Sequence, residues 1–227
     1  MARFSLATSK RMGKRVVLTG GPAAGKTAVC EVLRRQLGDE IAVLPEMATM
    51  LFEAGYPRPK DPASRRLVQQ TIYAAQRNLE GIYEITNPNV THICDRGTLD
   101  GGAYWPGGLD RFLGAMGSTL EAEYRRYDAV IFLQTSAYGA GTYETTSSVR
   151  TETPAQARAV DERLQKVWCN HPNFYLVSHE SKFYEKVAAV LIALHRALGL
   201  GTGAETPDPP AVTKKKRSKS SRKRSSK

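Results

Sequence analysis

No apolar run in this 227-residue chain approaches the length needed to span a bilayer, which argues against an integral helical membrane protein. Cysteine is scarce: Cys30, Cys94 and Cys169 are widely spaced and odd in number. They form neither a disulfide framework nor a metal-binding spacing, and so point to a reducing compartment. The four histidines, His92, His171, His179 and His195, show no ligand spacing. Acidic residues are absent from Thr213 to Lys227, where TKKKRSKSSRKRSSK carries nine Lys or Arg. The formal charge of +11 is therefore local, because the other 212 residues hold 24 basic against 22 acidic side chains. That near-neutrality argues against nucleic-acid binding as the explanation of the body, though not of the tail.

The chain divides into four parts. Residues 1–14 read as a disordered basic lead-in, 15–198 as one domain, 199–212 as a Gly/Pro linker and 213–227 as a disordered basic tail. The tail suits nuclear import, an electrostatic hook for RNA or anionic lipid, or a solubilising end. Cytoplasm is the default location, with the nucleus or a membrane surface reachable through the tail.

What the chain has is Gly20-Gly21-Pro22-Ala23-Ala24-Gly25-Lys26-Thr27, a G-x-x-x-x-G-K-T match directly after the apolar run Val16-Val17-Leu18. A strand feeding such a turn, with a helix starting at once, aims backbone N–H groups and the positive helix end at one cavity. The spacing predicts a nucleotide site over Gly20–Ala28, with Lys26 on the β- and γ-phosphates and Thr27 on Mg²⁺.

Strands are expected at Arg15–Thr19, Ile41–Leu44, Val90–Cys94, Ala129–Leu133 and Phe174–Val177. Helices alternate with them, at Lys26–Leu37, Ala48–Ala54, Arg65–Ile85, Thr153–Cys169 and Phe183–Leu198. On the longest helix Val68, Ile72, Ala75, Leu79 and Ile82 mark the expected buried stripe. The fold class is α/β: a P-loop NTPase three-layer sandwich with a five-stranded parallel sheet in order 2-3-1-4-5, of nucleoside/nucleotide-kinase type.

Ligands of such sheets bind at the C-terminal strand ends. Asp95, closing the third strand, is expected to join Thr27 in holding Mg²⁺. Arg96 is placed to hold a phosphate or an acceptor group. Glu46 follows the second strand and suits a base or an acceptor-binding acid. Gln69, Tyr73 and Gln76 share one side of the long helix, facing an acceptor pocket, although Tyr73 equally suits the core. Tyr104 and Trp105 of the Gly/Trp-rich loop Gly101–Gly108 would cover that pocket, and the loop's glycines equally fit a lid hinge. The polar segment Gln134–Glu152 reads as mobile, and Arg150 near its end suits a lid arginine over the transferring phosphate.

LTGGPAAGKT, LPEMAT, ICDRGTLDGGAYWP and VRTETPAQARAVDERLQKVWCNHPNFYLV together resemble the "AAA domain" family, over about residues 15–198. That family contains the nicotinamide-riboside-kinase-like domains of bacterial NAD regulators and a eukaryotic branch of GTP- and phosphoinositide-binding photoreceptor-channel trafficking proteins. The resemblance implies triphosphate and Mg²⁺ on Lys26 and Thr27, with Asp95 and Arg96 on the acceptor side. The expected function is γ-phosphoryl transfer from ATP or GTP to a small nucleoside-like hydroxyl. The alternative is a nucleotide switch or slow NTPase whose tail, Thr213–Lys227, binds phosphoinositide or RNA. Nothing matches the guanine-recognising N-K-x-D stretch, which disfavours a conventional GTPase.

Overall fold

The computed structural model describes residues 13–139, 152–179 and 182–199. The expected lead-in (apart from residues 13 and 14), the greater part of the polar segment including Arg150, most of the linker and the basic tail lie outside the described residues. Five strands, β1 (Arg15–Gly20), β2 (Ile41–Leu44), β3 (Thr91–Asp95), β4 (Ala129–Leu133) and β5 (Phe174–Val177), form one parallel sheet in the order β2-β3-β1-β4-β5. The helices are α1 (Lys26–Leu37), α2 (Met47–Glu53), α3 (Pro62–Thr86), α4 (Asp100–Tyr104), α5 (Leu109–Met116), α6 (Leu120–Tyr124), α7 (Pro154–Trp168) and α8 (Phe183–Leu198). The α/β sandwich and its strand order are those expected from the sequence. Among the described residues no helix is long and apolar enough to cross a membrane.

Strand β1 shows why the sheet is covered on both faces. Val16 and Leu18 pack with Leu33 of α1 and Val190 and Leu194 of α8. Val17 points the other way, into Phe112, Phe132, Leu164 and Trp168. A two-residue period with apolar side chains on both phases produces a strand that must be buried twice. The register pairs Leu18 with Asp95 on one side and with Ile131 on the other, so the C-terminal strand ends form one rim.

Helix signals act where they stand. Asp61 caps α3 by accepting from Ser64 N at 2.8 Å, with Pro62 at the first helical position. Thr153 and Gln156 form a reciprocal capping box at the start of α7. Gly38 closes α1 with φ 51°.

Two expectations need correction. The buried line of α3 is Val68, Tyr73, Gln76 and Glu80, whereas Ile82 is 56 % exposed and Ile72, Ala75 and Leu79 are only partly buried. The helix is rotated because its polar residues find partners inside. Glu80 accepts from Tyr127 Oη at 2.8 Å and pairs with Arg126, while Tyr73 Oη donates to Glu123 at 2.6 Å. Secondly, Gly101–Tyr104 is helical rather than loop. A Cβ on Gly101 would meet Phe112 at 2.9 Å and one on Gly102 would meet Leu109 at 2.6 Å, so these glycines allow close packing of α4 on α5.

Candidate functional site

The rim is built around the β1–α1 turn. A Cβ on Gly20 would lie 1.9 Å from the Leu133 carbonyl of β4, so only glycine lets the two strands leave together. Gly25 takes φ 88° immediately before α1, and Ala23 takes φ 56°, rare for a residue with a Cβ. Lys26 opens α1 and is buried; its Nζ donates to the carbonyls of Gly20 at 2.9 Å and Gly21 at 3.0 Å. The ammonium thus lies within the loop, with Thr27 exposed on the same helical turn.

Gly21 faces a residue that sequence reasoning missed. Its N–H donates to Asp161 Oδ1 at 2.8 Å, and the same oxygen accepts from Thr135 N at 3.0 Å. Burial holds the Asp161 carboxyl above its ordinary range, partly offset by those two amides and by the Lys26 charge. The available signal was an acid on the buried stripe of α7, between Val160 and Leu164.

On the other side of β1, Asp95 is buried at the end of β3 and Arg96 follows with φ 79°. The Arg96 guanidinium is the hub of the rim. Its Nε donates to Glu46 Oε1 at 2.9 Å, and its Nη1 donates to the Gly20 carbonyl at 3.0 Å and to Asp100 Oδ2 at 3.1 Å. Burial opposes its charge, but Tyr104, Glu46, Asp100 and Asp95 outweigh that and hold its pKa well above the ordinary value. Asp100 also accepts from Thr19 Oγ1 at 2.7 Å and, through Oδ1, from Trp168 Nε1 at 2.6 Å.

Glu46 and Arg96 border a cavity of about 330 Å³. Gln69, Tyr73 and Gln76 of α3 and Tyr104 of α4 line it as well. Trp105 does not: it packs edge-on against Phe112, their ring centroids 5.5 Å apart. Tyr73 presents its ring, since its hydroxyl is engaged by Glu123. Gln76 Nε2 donates to Glu80 Oε1 at 3.0 Å and to the Arg96 carbonyl at 3.3 Å, which ties α3 to the strained backbone of Arg96. Across the cavity the Arg58 guanidinium lies 4.0 Å from the Phe52 ring centroid. Of the arginines that follow the polar segment, Arg158 donates to Ala137 O at 2.7 Å and Arg163 to Ala103 O at 2.9 Å; both brace the scaffold.

Among the described residues no group of three or more His, Cys, Asp or Glu could hold a metal ion by itself. One hydroxyl at Thr27 and one buried carboxylate at Asp95 fit Mg²⁺ of the kind that takes most of its ligands from phosphates and water.

A family model described as AAA domain matches residues 15–185. Among solved structures, that of deoxyadenosine kinase from M. mycoides with bound dATP superposes with a TM-score of 0.57. That match covers 80% of this chain and 99% of that one at 17% sequence identity, a likeness of fold alone. No curated protein matches the sequence significantly.

Proposed function

The chain belongs to the AAA domain family, and we propose that it is a kinase moving the γ-phosphoryl group of ATP or GTP to a hydroxyl of a small nucleoside-like acceptor. The observation that carries this reading is the reach of Arg96. One guanidinium touches both the Gly20 carbonyl of the phosphate loop and the Glu46 carboxylate beside the cavity, so donor and acceptor sites are adjacent.

In this reading the loop amides and Lys26 hold the polyphosphate, and the acceptor occupies the cavity against Tyr73, Gln76 and Tyr104. Glu46 takes the proton of the attacking hydroxyl as the new P–O bond forms and the bond to the β-phosphate oxygen breaks. Arg96 balances charge on the transferring group and holds the Glu46 carboxylate in place. Mg²⁺ held near Thr27 and Asp95 would neutralise phosphate charge. Arg150 would close over the same group from the polar segment.

The test is transfer from γ-labelled ATP and GTP across a panel of nucleosides and vitamin ribosides. A phosphorylated acceptor is expected. Hydrolysis with no phosphorylated acceptor would overturn the transferase reading.

A further inference from the structure

Three hydrogen bonds join the connector after β4 to the outer turn of the phosphate loop, and Asp161 of α7 adds a fourth. Thr135 Oγ1 donates to the Pro22 carbonyl. Ser136 donates to the Ala23 carbonyl twice, from Oγ at 3.0 Å and from its own N–H at 3.4 Å. Asp161 Oδ1 takes the Gly21 N–H while also holding Thr135 N. Thr135 is fully buried, so its hydroxyl has no solvent-facing alternative.

Each of these bonds fixes a peptide plane. In a trans peptide the C=O and the following N–H point in opposite directions, and no peptide among the described residues is cis. Drawing the Pro22 carbonyl toward the connector therefore turns the Ala23 N–H away from it. Drawing the Ala23 carbonyl the same way turns the Ala24 N–H away as well. The Gly20 carbonyl, pulled by Lys26 and Arg96, sends the Gly21 N–H to Asp161, so that amide is already committed. Ala23 and Ala24 donate to nothing among the described residues. Ala24 is 1% exposed, and buried backbone donors rarely go unmatched. Successive N–H groups turned to one side of a chain with left-handed residues form an anion-binding concavity. The φ of 56° at Ala23 is the backbone strain this orientation costs.

We infer that Thr135, Ser136 and Asp161 are positioning residues for the polyphosphate: they clamp the outer turn so that the Ala23 and Ala24 amides face the anion before it arrives. The inference rests on the nucleotide-binding reading above. It assigns no contact between the three side chains and the nucleotide. They act on its affinity through the peptide planes they hold.

The experiment measures ATP and GTP affinity by calorimetric titration, with thermal unfolding alongside. Ser136→Ala and Thr135→Val should each weaken triphosphate binding about tenfold, the cost of one lost orienting hydrogen bond. The double variant should lose about a hundredfold, while Ser136→Thr and Thr135→Ser, which keep a hydroxyl, stay within about threefold of the parent. Asp161→Asn keeps an acceptor for Gly21 and Thr135 and should bind more tightly than Asp161→Ala. A double variant that binds as the parent does, with only its melting temperature lowered, would overturn the clamp and leave nucleotide binding intact. A parent chain that binds neither ATP nor GTP would overturn both readings.

Discussion

Arg96 Nε meets Glu46 Oε1 at 2.9 Å across the mouth of the cavity, and both side chains are largely withdrawn from solvent. A charged pair in that setting is held by geometry more than by its net stability, since desolvation offsets much of the attraction. Its value is placement: it fixes the Glu46 carboxylate at the edge of the cavity. Glu46→Gln can still accept from Arg96 but cannot take a proton. Acceptor phosphorylation should fall about 10²- to 10⁴-fold with nucleotide affinity nearly unchanged. Steady-state kinetics beside titration calorimetry check this, and unaltered turnover would remove Glu46 from the mechanism.

Lys26 donates to two loop carbonyls, Gly20 and Gly21, and sets its ammonium within the phosphate loop. Its charge-assisted contacts with a polyphosphate should be worth roughly 10- to 100-fold in affinity. Lys26→Ala is expected to raise the dissociation constants of ATP and GTP by that factor while the urea midpoint changes little. Equal affinities for parent and variant would contradict the placement.

Asp100 joins three elements through Thr19, Arg96 and Trp168, and is buried while doing so. Removing it strands the Arg96 guanidinium with less countercharge. Asp100→Ala should therefore cost about 3–5 kcal/mol in chemical denaturation. Asp100→Asn keeps an acceptor for Trp168 Nε1 and should cost less. A loss below about 1 kcal/mol for the alanine variant would show that Glu46 alone satisfies Arg96.

Glu123 gives the fold an acid-sensitive joint. Burial would raise its pKa, but hydrogen bonds from Ser118, Thr98 and Tyr73, with the Arg126 charge, bring it below the ordinary 4.5. A carboxyl lower in the folded than in the unfolded chain binds fewer protons when folded. Its stabilising contribution is thus complete above the unfolded value and is lost as pH falls from about 4.5 through the folded pKa. Glu123→Gln should cost about 1–3 kcal/mol at pH 7 and flatten the loss of stability below pH 5. Denaturation midpoints of both proteins from pH 7 to pH 3.5 test this. Parallel curves would place the acid sensitivity elsewhere.

The path from sequence to this site was direct where chemistry is local. The run Val16–Leu18, the glycine spacing and Lys26 specify a strand, a turn and a helix within a dozen residues, and those elements stand where the pattern puts them. Glu46 and Asp95-Arg96 were readable because parallel strands deliver their last residues to one rim. The inward face of α3 was not readable in the same way. Steps of three and four fit two adjacent stripes one residue apart, and the choice depended on Arg126 and Tyr127, some 46 residues beyond Glu80. Asp161 was hidden for a similar reason: nothing near it in the chain announces that its partners are a glycine amide 140 residues earlier and Thr135. The Gly/Trp run after Asp100 looked open because glycine often marks loops, whereas here it makes room for Phe112 and Leu109.

The stitches from Thr135 to Pro22 and from Ser136 to Ala23 each close 113 residues of chain. Contacts that remote form late, because a long loop must be closed before they repay anything. A ribosome that has released only the first half of the protein therefore displays the Gly-Lys-Thr signature without its final shape. The nascent segment should capture triphosphate poorly until β4 has docked beside β1, which makes ligand capture a reporter of that docking.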